Sequence, residues 1–152
     1  MLKKMAGFTL VELLIVIAIV SILSVIAIPN FSRLKEIYVT KGEMQKVVSF
    51  LNLAKSVSLK YNEQVCVSFT KGKGGTLTMF IDTNRDGNYS NGEKVEQTMP
   101  LNEGLEITSE NKNVCFPPTG IVLGSNNTIT FQFGNAIRNV IVSGYGRIRI
   151  EK

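Results

Sequence analysis

Three groups of residues in this chain have types and spacings that chemistry could use. The first is Asp82-Thr83-Asn84-Arg85-Asp86-Gly87-Asn88-Tyr89-Ser90-Asn91-Gly92-Glu93, which fits the calcium-loop pattern D-x-[DN]-x-[DN]-G-x5-E at each fixed position. Such a loop needs oxygens at alternate positions, a glycine at its sharp turn and a final glutamate able to bind with both oxygens. Asp82, Asn84, Asp86, the Asn88 carbonyl and Glu93 would supply these, with Ser90 acting directly or through water. The residues on either side read as strands, so the two helices of a calcium-sensor module are missing. A bound ion here would be a structural clip, and no cofactor is required otherwise. The same Asn, Asp and Gly content also suits a long polar hairpin loop that holds no ion.

The second group is Gly144-Tyr145-Gly146-Arg147-Ile148-Arg149. On a strand, Arg147 and Arg149 share one face while Ile148 and Ile150 take the other. Two residues of strand rise set the arginine stems roughly 6.8 Å apart, comparable to successive phosphates on an extended backbone. Tyr145 could stack on a base, with Arg138 and Lys152 as further charges. The alternative is a solvated strand face whose charges discourage edge-to-edge pairing. The third group is one residue, Glu12, inside an otherwise uncharged run from Phe8 to Ile28. A carboxylate there is costly to bury alone and needs a partner. Only Thr9, Ser21 and Ser24 are polar in the run, so the partner is expected from another molecule or from an N-terminal amine. Cutting the chain between the small residue Gly7 and Phe8 would create that amine.

Composition removes most enzymes. The chain of 152 residues has no His and no Trp, so Ser-His or Cys-His catalysis and zinc binding through imidazole are excluded. No acid pair or nucleophile motif stands in their place. The formal charge of +5 falls to +3 without Lys3 and Lys4, which is compatible with anionic partners but does not demand them.

The elements that position these groups begin with the apolar run itself. Its 21 residues would reach roughly 31 Å as a helix, about the thickness of a bilayer's hydrocarbon core. Lys3 and Lys4 hold its start in the cytoplasm, so everything after Pro29 lies on the far side of the membrane. In that oxidising compartment Cys66 and Cys115, the only cysteines, are expected to pair. The alternative is two buried thiols on neighbouring core strands. Pro29 should kink or locally break the helix. Helical spacing then resumes at Leu34, Ile37, Tyr38, Met44, Val47, Val48, Leu51, Ala54 and Val57, giving an amphipathic segment to about Leu59.

Beyond Tyr61 the period becomes two. Strands are predicted over 65–69, 76–81, 94–99, 105–108, 113–116, 128–133, 137–143 and 147–150, with turn residues between nearly all of them. A run of strands after one helix predicts an α+β domain, antiparallel sheets laid on the amphipathic helix.

Gly7-Phe8-Thr9-Leu10-Val11-Glu12 followed by an apolar helix closed by Pro29 resembles the N-terminus of type IV pilins and type II secretion pseudopilins. The resemblance implies a pilin-like fold, with a leader over 1–7, a transmembrane and filament-core helix over 8–29, its amphipathic continuation over 30–60 and a β-rich head over 61–152. It implies leader removal after Gly7 by a prepilin peptidase, methylation of the Phe8 amine, and pairing of Glu12 with the amine of a neighbouring subunit during assembly. Its partners would be other pilin subunits and an inner-membrane assembly platform, on a single-pass inner-membrane protein that is not an enzyme. Phe116-Pro117-Pro118-Thr119-Gly120, Ile129-Thr130-Phe131 and Gly146-Arg147-Ile148-Arg149 resemble the GspH/FimT-like branch of minor pilins and pseudopilins. In transformable bacteria a Gly-Arg-x-Arg in this branch is linked to binding incoming DNA, which the resemblance carries to Gly146, Arg147 and Arg149. The alternative it leaves is a pseudopilin that primes or caps a secretion filament and never meets DNA.

Overall fold

The computed structural model describes residues 8–109, 113–122 and 127–151. A single helix, α1, runs from Leu10 to Tyr61 with Pro29 inside it. The expected local break is therefore not made. Proline still withholds one backbone donor, and side chains nearby bond to the helix's own carbonyls: Ser24 Oγ donates to the Val20 carbonyl at 2.7 Å and Asn30 Nδ2 to that of Ile26 at 3.1 Å.

The chain forms two compact units, Met1–Lys35 and Glu36–Lys152. In the first, the large apolar side chains from Phe8 to Ile28 are all exposed. The helix that carries them is long and apolar enough to cross a membrane.

The second unit starts with the amphipathic half of α1. Thr40, Met44, Val47, Leu51, Ala54 and Ser58 are buried, recurring at three and four residues. Leu34, Ile37 and Tyr38, expected on the same stripe, are 50%, 41% and 69% exposed, so the covered face begins only near Thr40. Glu43, a charged residue, is buried as well. Glu43 accepts Lys46 Nζ at 2.6 Å and the Asn102 backbone N–H at 3.3 Å. Glu36 likewise accepts the Asn135 N–H at 3.3 Å. Each glutamate thus ties α1 to a turn between strands.

Among the described residues nine strands follow: β1 (Val65–Phe69), β2 (Gly72–Lys73), β3 (Thr76–Ile81), β4 (Val95–Pro100), β5 (Leu105–Ile107), β6 (Val114–Phe116), β7 (Asn127–Phe133), β8 (Ala136–Val142) and β9 (Ile148–Glu151). They build two antiparallel sheets, ordered β4-β3-β1-β6 and β2-β5-β7-β8-β9. The chain changes sheet repeatedly, so neither sheet is a simple meander. Alternate residues of both sheets join Met44, Val47, Phe50, Leu51 and Ala54 of α1 in one core, including Val65, Val67, Leu77, Phe116, Phe131, Val140 and Val142. The short β2 lies where only a turn was expected.

Candidate functional site

The strand β9 is an edge strand, bonded on one side to β8. Ile148 opposes Val142 and Ile150 opposes Val140, and both valines are fully buried. Directly opposed residues share a face, so the isoleucines turn toward the core and Arg149 turns outward. Arg147 precedes the strand, and its carbonyl accepts the Ser143 N–H at 2.9 Å, continuing the ladder. Arg147 and Arg149 are both exposed. Tyr145, at the tip of the preceding turn, is 87% exposed. Arg147, Arg149 and Tyr145 are thus all exposed in the β8–β9 turn and the edge strand that follows it. Arg138 is not part of it: it opposes Phe131 and shares the face of Val140, the side opposite Arg149. Lys152 lies outside the described residues.

Gly146 has a structural task in this group. Its φ is +71°, and a Cβ there would stand 2.4 Å from the Gly120 carbonyl oxygen and 2.9 Å from Lys55 Nζ. Lys55, on α1, donates to the Gly146 carbonyl at 3.1 Å. Gly120 closes a turn by donating its N–H to the Pro117 carbonyl at 2.8 Å. Two motif pieces far apart in the chain, Pro117 to Gly120 and Gly146 to Arg149, thus meet over one helix lysine. Lys55 has no signal in the sequence, because no local pattern announces a contact across 91 residues.

At the other end, Glu12 has a partner within the apolar run. The Thr9 N–H and Thr9 Oγ1 both donate to Glu12 Oε2 at 2.9 Å, and Thr9 Oγ1 accepts the Glu12 N–H at 3.3 Å. This is a capping box, a threonine and a glutamate three residues apart satisfying each other's backbone donors at a helix start. The expectation that nothing within the run reaches Glu12 is corrected to that extent. Thr9 supplies hydrogen bonds but no positive charge. Phe8 is 86% exposed; Gly7 lies outside the described residues.

Cys66 and Cys115 are bonded, with S–S 2.05 Å, across directly opposed positions of β1 and β6. The expected disulfide is formed, on neighbouring strands, and the alternative of two buried thiols is not. Against the disulfide packs the loop from Asp82 to Glu93. Asp82 is only 2% exposed; its Oδ2 lies 3.3 Å from Cys66 Sγ and accepts Gln64 Nε2 at 2.7 Å and the Gly87 N–H at 2.8 Å. The loop's other carboxylates are held by backbone. Asp86 Oδ1 accepts the Asn88 N–H at 2.6 Å, and Glu93 accepts the N–H groups of Thr83 at 3.1 Å and Ser90 at 2.8 Å. Asn84 Oδ1 accepts the Asp86 N–H at 3.0 Å. The ligating oxygens of Asp82, Asp86 and Glu93 do not converge. Among the described residues the one group of three ligating side chains within 4.8 Å is Cys66, Asp82 and Cys115, whose sulfurs the disulfide occupies.

A long apolar N-terminal helix whose second half carries antiparallel sheets, with a carboxylate at its start, defines a pilin-like filament subunit. Two family descriptions match the chain: the type II transport protein GspH over residues 43–146 and the prokaryotic N-terminal methylation motif over residues 2–28. The chain belongs to the GspH family of minor pilins and pseudopilins. It is 29% identical to the pilin-like protein PilA1 of Thermus thermophilus over 95% of this chain and 97% of that one. It is 30% identical to the competence protein ComGC of Streptococcus pneumoniae over 59% of this chain and 82% of that one. The fold matches the type IV minor pilin FimU of Pseudomonas aeruginosa with a TM-score of 0.59 at 15% identity, covering 82% of this chain and 93% of that one. A minor structural subunit, membrane-anchored and assembled with other pilins, is the role these findings support.

Proposed function

We propose that this chain is a minor pilin that contacts DNA during uptake, through Arg147 and Arg149 with Tyr145 beside them. One observation carries the reading: Arg149 on the outward side of an edge strand, Arg147 just before that strand and Tyr145 in the adjoining turn are all exposed. Paired cations at phosphate spacing supply sequence-independent attraction, and an exposed ring supplies stacking to any base. The competence protein among the relatives supports the same direction. In this reading a prepilin peptidase cuts between Gly7 and Phe8 and the new amine is methylated. The chain crosses the inner membrane once with its head outside, and an assembly platform inserts it into a filament. There Glu12 pairs with the Phe8 amine of a neighbour, the positive partner that Thr9 does not provide.

The test is binding of labelled double-stranded DNA by the full chain in nonionic detergent at low salt. The wild type is expected to bind in the micromolar range typical of non-specific contacts, and Arg147→Gln/Arg149→Gln to lose roughly tenfold or more. Undiminished binding by the double variant would remove the arginine pair from the account. No binding by the wild type would favour the second reading, a pseudopilin that primes or caps a secretion filament. The match to the type II transport protein supports that reading.

A further inference from the structure

The Asp82 to Glu93 loop holds an unusual group. Asp82 Oδ1 is buried and has no hydrogen-bond partner. A desolvated carboxylate oxygen left unpaired is costly, and such atoms in folded proteins call for an ion, a water or a functional cause. The ion pairs among the described residues are Lys46–Glu43 and Lys94–Glu96, so no described lysine or arginine serves Asp82. Its other oxygen accepts the Gly87 N–H from mid-loop and Gln64 Nε2 from outside it, so the carboxylate is anchored where the loop meets the start of β1. Gly87 itself has φ +76°, the left-handed turn that the sixth position of a calcium loop needs.

We propose that this loop binds one calcium ion and that the ion supplies the missing partner of Asp82 Oδ1. Asp82, Asn84, Asp86, the Asn88 carbonyl and Glu93 are the ligands, with Ser90 direct or through water. The donors are all oxygens, and the cysteine sulfurs are committed to each other, so a hard cation fits and zinc does not. Magnesium is smaller, demands a near-ideal octahedron and dehydrates reluctantly, so it fits this ligand set less well than calcium. Because Asp86 and Glu93 rest on backbone N–H groups, binding has to draw them inward and give up part of those bonds. Affinity should therefore fall in the weak range of extracellular modules, about 10⁻⁴ to 10⁻³ M. The ion would clip the loop against the Cys66–Cys115 bridge, since Gly87 also lies beside Cys115 and its carbonyl accepts Asn113 Nδ2 at 2.7 Å.

The experiment is thermal unfolding of the full chain in nonionic detergent, in chelator and then in about 5 mM calcium or magnesium chloride. Mass action at the stated affinity predicts a calcium-specific rise of roughly 5 °C. Asp82→Asn risks the fold because the residue is buried, so the deciding variants are Asp86→Asn, which is exposed, and Glu93→Gln. Both are expected to abolish most of the calcium shift while leaving the midpoint in chelator within a few degrees. No rise in the wild type, an equal rise with magnesium, or a rise kept in both variants would each overturn the proposal.

Discussion

Gly146 separates two roles that its motif runs together. Its place in Gly-Arg-x-Arg reads as part of a nucleic-acid motif, but its surroundings are protein: the Gly120 carbonyl and the Lys55 amine fill the space where a side chain would go. Replacing it with alanine adds both a left-handed strain and a backbone clash, so Gly146→Ala should cost about 2 kcal/mol or more in a urea unfolding series. Arg147→Gln/Arg149→Gln, exposed and unpaired within the described fold, should stay within about 0.5 kcal/mol of wild type. Equal costs for the two variants would mean the arginines pack more than they reach outward. At the other end, Glu12 and Thr9 can be separated in the same way. Thr9→Val removes the capping hydroxyl, a loss of about 1 kcal/mol to the helix start. It leaves the carboxylate for a neighbouring subunit. Glu12→Val removes both. Chains with Thr9→Val should therefore still appear in sheared filaments and those with Glu12→Val should not. Presence of both would deny Glu12 its assembly role.

Among the elements, periodicity yields most of the outline because it reports which residues share a face. The strand β9 is legible for that reason: Ile148, Arg149 and Ile150 alternate, and the structure keeps the alternation one residue later than the predicted start at Arg147. Periodicity does not report how far a covering partner extends. Leu34, Ile37 and Tyr38 continue the stripe of α1 in sequence, yet they stay exposed. Nor does it resolve β2, whose two residues Gly72 and Lys73 pair with β5 inside a glycine-rich turn too short to alternate. The Thr9–Glu12 cap is legible in principle, since a threonine three residues before a glutamate at a helix start is a known signature. A carboxylate in an apolar run points first to a charged partner, and that expectation hides the neutral one. The bridge between β1 and β6 closes a loop of sequence separation 49, and the chain-entropy view assigns it about 4 kcal/mol. Cys66→Ser/Cys115→Ser should lose about 2–4 kcal/mol in the same urea series. A loss below about 1 kcal/mol would show that sheet pairing alone holds β6 in place.

For the molecule as a whole, the division of labour follows the charge and polarity of its parts. In the first unit the large apolar side chains from Phe8 to Ile28 are exposed, with the carboxylate of Glu12 near their start. The second unit buries its own core and leaves β9, with the exposed Arg149, as an uncovered sheet edge. Contact with phosphates releases counterions, so each arginine that neutralises one adds a fixed increment to the dependence of affinity on salt. The most direct test of DNA contact through this edge is therefore a salt titration of binding by the full chain, beside Arg147→Gln/Arg149→Gln. With two phosphates no longer neutralised, the plot of log affinity against log salt should become shallower by roughly 1.5 to 2 in the double variant. An unchanged slope, with affinity also unchanged, would contradict that contact and leave the chain a filament subunit whose basic edge never meets DNA.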